Sequence, residues 1–307
     1  MKILITPRSF AKNDPAPLEL LHAAGFETVK NVLGTVYSKE QMLASVHDVD
    51  GIIVGVDPID KDVIDAAMKL KAISKYGVGI DNIDVEYAKK RGIAISRTVG
   101  ANAEAVADYT FALMLTLARR IVQSNSQCRE GDWSRVSGVD IYGKTLGVLG
   151  LGAIGKGVVR RARGFGMRIL AHDINWDEKF ASEYSVFQAS PNTIIEEADF
   201  LTLHLPLTAE TVNIINVDAL KSMKETAVLV NTARGSLVDE EALIHALKEG
   251  QLFGAALDVF SLEPPTNPEL YAVDNLIISS HCAAATPGAS KQMGLMAAEN
   301  LIRDLIG

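Results

Sequence analysis

The chain has 307 residues, which leaves room for two domains at about 100–200 residues each. Hydrophobic residues make up 48% and charged residues 22%, enough apolar material to fill sizeable cores and to exclude a disordered chain. The net charge of −8 argues against non-specific nucleic-acid binding, and two cysteines, Cys128 and Cys282, cannot build a disulfide framework or a clustered metal site.

The predicted elements alternate. Residues 2–6 are a short β-prone run, and residues 18–24 have helical character closed by Gly25. Gly51-Ile52-Ile53-Val54-Gly55 reads as a buried strand between turn residues. Residues 60–68 read as a helix with Val63, Ile64 and Ala67 on one face, and residues 70–75 as a strand followed by Gly77-Val78-Gly79. A helix over 84–91, closed by Gly92, and a strand over 93–96 follow. Near-continuous apolar strands separated by helices point to a parallel sheet covered on both faces.

The spacing predicts a long helix over 103–120. It is apolar almost all round after Tyr109, as in helices buried between domains or subunits. Residues 123–143, of mixed polarity, read as a connection into a second domain. That domain opens with a strand at 144–149, Gly150-Leu151-Gly152-Ala153-Ile154-Gly155, a helix at 156–165, and a strand at 167–172 ending in Asp173. Further strands are predicted at 200–204, 227–231, 254–258 and 276–280, with the clearest remaining helix at 239–248. The apolar run at 109–118 is about half of the ~20 residues a bilayer requires, and the N-terminal run is too short for a signal peptide. With so few cysteines, a mature, soluble, cytoplasmic protein is expected.

The glycine motif gains its meaning from context. It lies between a strand and a helix, and an acidic residue ends the next strand about 20 residues on, the arrangement of a dinucleotide site. Gly150 permits the tight turn, Gly152 lets a pyrophosphate approach the backbone, and Gly155 lets the helix pack closely. The helix N-terminus offers unpaired amides to the phosphates. The Asp173 carboxylate suits ribose hydroxyls and repels a 2′-phosphate. Ile174 and Asn175 supply no cation, so NAD is favoured over NADP.

Three further residues follow predicted strands, where doubly wound folds bind ligands. Arg234, in Asn231-Thr232-Ala233-Arg234-Gly235, can grip a carboxylate in a bidentate fork. Glu263 stands in a loop stiffened by Pro264-Pro265, and Asp258 ends the strand before it. His281 follows the last strand. Alone, such a histidine is more often structural. A carboxylate beside it would orient the imidazole and raise its pKa, as suits a general acid/base.

Together these residues resemble the D-isomer-specific 2-hydroxyacid dehydrogenases. The resemblance rests on residues 77–84, 102–108, Gly150 to Gly155 with Asp173, His204-Leu205-Pro206-Leu207-Thr208, residues 231–235, Asp258 with Glu263, and residues 281–284. It implies an α/β fold with two doubly wound parallel-sheet domains: a Rossmann NAD domain at 100–284 inserted into a flavodoxin-like substrate-binding domain at 1–99 and 285–307. It implies His281 as the proton donor or base, Glu263 as its holder, and Arg234 as the group that binds the substrate carboxylate and polarises the carbonyl. The backbone of Val78 and Gly79 would bind the same carboxylate. Besides the glycines, Ala153, Ile154, Asp173, Leu205, Pro206, Thr232, Ala233, Asp258, His281 and Ala284 would contact NAD, with Asp258 on the nicotinamide carboxamide. No metal is implied, and the family is usually dimeric, with residues 109–118 a candidate interface.

Within the family the chain looks most like a 3-phosphoglycerate dehydrogenase without a C-terminal regulatory domain. Lys75 stands where those enzymes tend to carry an arginine for the substrate phosphate, and Arg8 is a second cation to consider. A solvated surface lysine is the equal alternative for Lys75. Gly55 replaces a second arginine and Val78 a common threonine, which keeps glyoxylate or hydroxypyruvate reduction open. Some relatives of this fold act instead as NAD-responsive transcriptional corepressors.

Overall fold

A computed structural model describes all 307 residues. The first stretch holds β1 (Lys2–Ile5), α1 (Ala16–Ala23), β2 (Glu27–Lys30), α2 (Lys39–Ser45), β3 (Gly51–Val54), α3 (Lys61–Ala66), β4 (Ala72–Lys75), α4 (Val85–Lys90) and β5 (Ala94–Arg97). The middle of the chain holds α5 (Ala103–Ala118), α6 (Ile121–Arg129), β6 (Thr145–Leu149), α7 (Ala153–Gly164), β7 (Arg168–His172), α8 (Glu178–Tyr184), β8 (Val186–Gln188) and α9 (Pro191–Glu197). It continues with β9 (Phe200–Leu203), α10 (Val217–Ser222), β10 (Val228–Asn231), α11 (Glu240–Lys248), β11 (Gly254–Leu257) and β12 (Leu276–Ile278), and α12 (Pro287–Ile306) closes the chain. No helix is long and apolar enough to cross a membrane.

Contacts divide these elements into two compact units, Met1–Asn102 with Ala284–Gly307, and Ala103–Ala283. In the first unit the strands run parallel in the order β2-β1-β3-β4-β5, the flavodoxin-like doubly wound order. Its central strands are apolar on both faces: Ile3, Leu4, Ile52, Ile53 and Ile73 are fully buried. One face is covered by α12 and α1, and Gly294 of α12 leaves only enough room for Pro17 of α1.

In the second unit seven parallel strands follow the order β12-β11-β10-β9-β6-β7-β8. Counted from β6, this is the Rossmann order 3-2-1-4-5-6 with one more strand, and the order reverses between β6 and β9. Helix α5 lies against β10, β11 and α7 within this unit. Phe111, Leu113, Met114 and Leu117 are buried there at roughly 1.5–3 kcal/mol each. A Cβ on Gly157 of α7 would sit 2.9 Å from the Ala107 Cβ of α5, so the helices approach at small residues. Much of the apolar character of α5 is therefore used inside its own unit, while Ala112 remains exposed.

Residues 123–143 depart from the expected plain connection, because α6 occupies their first part. No α6 residue is buried, so the sequence carries no hydrophobic period there. Edge strands β2 and β8 were likewise illegible, since each has only one side chain even partly shielded.

Candidate active site

The glycine motif forms the turn from β6 into α7. Gly150 has φ +99, and a Cβ there would lie 2.5 Å from the His204 carbonyl oxygen past β9. A Cβ on Gly155 would collide with the Gly150 carbonyl, which is why the helix can start so close to the strand. Gly152 is the N-cap of α7, has no side-chain cap and faces open space. Its helix therefore presents unpaired amides and a positive dipole end to that space. Asp173 follows β7, accepting the Leu151 amide on Oδ2 at 2.7 Å and the Asn175 amide on Oδ1 at 2.8 Å. The carboxylate is thereby tied to the glycine turn, and Ile174 beside it is 89% exposed. Open space at Gly152, a bare helix N-terminus and a fixed carboxylate at the next strand end suit a dinucleotide without a 2′-phosphate.

Leu205 and Pro206 follow β9, the strand across the reversal point from the glycine turn. His204, just before them, keeps both ring nitrogens inaccessible and unpaired. Burial drives its pKa down to about 3, so the ring is neutral. Thr232, past β10, pairs its hydroxyl with that of Thr110 on α5 at 3.1 Å.

The loop carrying Arg234 is built by Asn231, a fully buried residue that sequence reasoning did not single out. Its Oδ1 accepts the Ala233 amide at 3.0 Å and its Nδ2 donates to the Arg234 carbonyl at 2.7 Å. Arg234 also donates from a guanidinium nitrogen to the Ala233 carbonyl at 2.6 Å. A Cβ on Gly235 would collide with the Phe260 backbone, so this loop abuts the one that bears Glu263.

Glu263 and His281 do meet. The imidazole Nδ1 and Glu263 Oε2 are 2.8 Å apart, and Glu263 Oε1 accepts the Phe260 amide at 3.1 Å. Burial pushes the Glu263 carboxyl up, but the His281 hydrogen bond and charge, the Phe260 amide and the Arg234 charge outweigh it. The carboxyl therefore stays below its ordinary value and ionised near neutral pH. The peptide bond between Glu263 and Pro264 is cis. His281 has φ +51, a left-handed conformation unusual for a residue with a Cβ. Both side chains remain partly accessible, at 43% for His281 and 36% for Glu263. A carboxylate on one imidazole nitrogen leaves the other to exchange a proton with a ligand.

Asp258 is fully buried beside this pair and accepts from Ser279, Cys282 and Ala283. The sequence expectation for Asp258 concerned only the cofactor. Its hold on the turn around His281 has no local sequence signal.

Lys75, Val78, Gly79 and Ala284 belong to the first unit. Val78, Gly79 and Ala284 are partly exposed. The loop before Val78 is pinned where the Gly77 amide donates to Thr98 Oγ1 at 2.8 Å. Lys75 is not a solvated surface residue: it is 6% exposed. Its Nζ donates to the Gly55 carbonyl at 2.5 Å and to Asn82 Oδ1 at 2.7 Å. Asn82 in turn donates to the Asp57 carbonyl at 2.6 Å, and buried Asp57 accepts the Thr6 hydroxyl and the Tyr37 amide. This network ties together the ends of β1, β3 and β4. Arg8, past β1, is exposed and donates weakly to the Gly34 carbonyl at 3.4 Å.

Comparison with known proteins agrees with this geometry. The NAD-binding-domain model of the D-isomer-specific 2-hydroxyacid dehydrogenases matches residues 111–283. The chain is 45% identical to a glyoxylate reductase of Korarchaeum cryptofilum over 273 residues, covering 86% of this chain and 82% of that one. It is 41% identical to a D-3-phosphoglycerate dehydrogenase of Methanocaldococcus jannaschii, covering all of this chain and 58% of that one. A crystal structure of a Thermus thermophilus protein, 38% identical, superposes with a TM-score of 0.89 over 99% of this chain and 97% of that one.

Proposed function

We propose that this chain, which belongs to the D-isomer-specific 2-hydroxyacid dehydrogenase family, reduces a short unphosphorylated 2-oxo acid such as glyoxylate or hydroxypyruvate. The chain is an NAD-dependent oxidoreductase, and NADH when bound supplies the hydride. His281 donates the proton that turns the carbonyl oxygen into a hydroxyl, and Glu263 orients and stabilises its protonated ring. Arg234 grips the substrate carboxylate, assisted by the backbone at Val78 and Gly79. Gly150, Gly152, Ala153, Ile154, Gly155, Asp173, Leu205, Pro206, Thr232, Ala233, Asp258 and Ala284 hold the cofactor.

The observation that carries the choice of substrate is Lys75. A phosphate-binding cation needs its donors for the phosphate. The Lys75 ammonium is buried and already spends two on Gly55 and Asn82. The 45% identity to a glyoxylate reductase supports the same reading. A second reading, 3-phosphohydroxypyruvate and 3-phosphoglycerate, is favoured by Arg8, an exposed cation beyond β1, and by the Methanocaldococcus relative.

NADH oxidation should be followed with glyoxylate, hydroxypyruvate and phosphohydroxypyruvate. The proposal expects the first two to have the higher kcat/KM. A kcat/KM at least tenfold higher for the phosphorylated acid, lost in Arg8→Ala, would establish the second reading instead.

The protein works in the cytoplasm on this reading, consistent with cysteines that stand unpaired. It acts as a homodimer through α6 and the segment after it. Ile121, Val122, Trp133 and Tyr142 there are 55%, 56%, 84% and 80% exposed, an apolar surface that a second copy of the chain can cover.

A further inference from the structure

The loop at 76–81 leaves β4 and carries two unpaired amides. Val78 and Gly79 are partly exposed, and neither backbone N–H donates to an acceptor within the chain. Two such neighbouring amides can hold a carboxylate, and they hold it better when the loop has its shape before the ligand arrives.

Two side chains close the base of this loop. Lys75 precedes it and Asn82 follows it, seven positions on, and Lys75 Nζ donates to Asn82 Oδ1 at 2.7 Å. The same ammonium donates to the Gly55 carbonyl at 2.5 Å. Asn82 Nδ2 donates to that carbonyl at 3.2 Å and to the Asp57 carbonyl at 2.6 Å. Both ends of the loop are thereby fastened to the backbone just past β3. The Lys75 stem also runs beneath the loop, since a Cβ on Gly77 would lie 3.5 Å from Lys75 Cε. Gly77 has φ +144, and fully buried Thr98 past β5 accepts its amide on Oγ1 at 2.8 Å.

We infer that Lys75 and Asn82 are positioning residues: they clasp the loop at 76–81 so that the Val78 and Gly79 amides meet a substrate carboxylate, whatever the rest of the substrate. The inference rests on the reading of those amides as carboxylate donors. Lys75→Met keeps an unbranched stem but takes a donor from two oxygens at once, and acceptors shut away from water are costly to leave with fewer donors. Asn82→Asp keeps the oxygen that Lys75 uses and loses both bonds that Nδ2 donates.

These two variants test the clasp. Thr98→Val leaves Lys75 and Asn82 in place and releases only Gly77, so it remains informative if either of the others does not fold. KM for glyoxylate, hydroxypyruvate and phosphohydroxypyruvate is measured at saturating NADH. Amide hydrogen exchange is followed at Gly77 and at Ile83, whose N–H donates to the Ile80 carbonyl at 3.0 Å. Exchange should quicken at both amides in Lys75→Met and Asn82→Asp, and at Gly77 in Thr98→Val. All three acids share the carboxylate, so KM should rise by the same factor for each, about tenfold for the loss of bonds of this kind. The value of kcat should change less than about threefold, as when binding common to ground and transition states is lost. The NADH dissociation constant should stay within the same limit as kcat. A rise confined to phosphohydroxypyruvate would overturn the inference and make Lys75 a phosphate ligand. A lower Tm with unchanged KM for all three acids would make the clasp structural only and overturn it too, as would unchanged exchange in every variant. A parent chain that turns over none of the three acids would sink the carboxylate-donor reading instead, while exchange still judges the clasp.

Discussion

An imidazole serves as a proton donor when a neighbour stabilises its charged form without taking the proton for itself. Glu263 meets that requirement: it stays ionised, lies 2.8 Å from Nδ1, and has its other oxygen held by the Phe260 amide. General acid catalysis of this kind is worth about 10²–10⁴ in rate. His281→Ala is therefore expected to lower kcat for reduction by about that factor while the NADH dissociation constant, followed by fluorescence, changes less than about threefold.

His204 gives a separate pH effect at the same scale. Its ring nitrogens are inaccessible and the ring is neutral in the fold, with a pKa lowered to about 3 from 6.5. Below pH 6.5 the unfolded chain binds a proton that the folded chain refuses, so stability falls as pH drops toward 3. The slope is up to about 1.4 kcal/mol per pH unit for one group. Denaturant titrations between pH 7 and 4 should show a shallower decline for His204→Asn than for the parent chain.

At the scale of elements, the turn from β6 into α7 tolerates little change. Gly155 has the Gly150 carbonyl where a Cβ would lie, and backbone cannot yield as a flexible side chain can. Asp173 depends on the same turn, since it accepts the Leu151 amide. Asp173→Ala should weaken NADH binding and narrow the preference for NADH over NADPH, as measured by the ratio of their kcat/KM values. Helix α6 has the opposite character: nothing in it is buried, so its own unit gives it little packing. If the second copy covers it, Trp133→Asp should shift the mass measured by light scattering from dimer toward monomer. An unchanged mass would move the interface elsewhere.

At the scale of the whole molecule, the chain builds two parallel sheets in two compact units, and only one carries the glycine turn. A ligand that binds the folded state alone stabilises it by RT ln(1 + [L]/Kd), about 2.7 kcal/mol at a hundredfold excess over Kd. NADH at that concentration should raise Tm, and at the same concentration the rise should shrink in Asp173→Ala.

The amino-acid sequence by itself determined the alternation of strands and helices, the site at Gly150, and the acidic residue that answers it at Asp173. These are readable because strand, turn and helix are contiguous and each residue acts on its neighbours. It also placed Arg234, Glu263 and His281 past strand ends, since apolar runs that stop at polar residues mark those ends. Only the tertiary structure decided who touches whom. His281 meets Glu263 and is enclosed by Asp258 because β11 and β12 lie side by side, a sheet order that no local pattern encodes. The buried place of Lys75 was decided in the same way, by the ends of β1, β3 and β4 converging on Gly55, Asp57 and Asn82. Pattern along the chain records burial and turns, whereas the partner of a buried charge is set by which strands become neighbours.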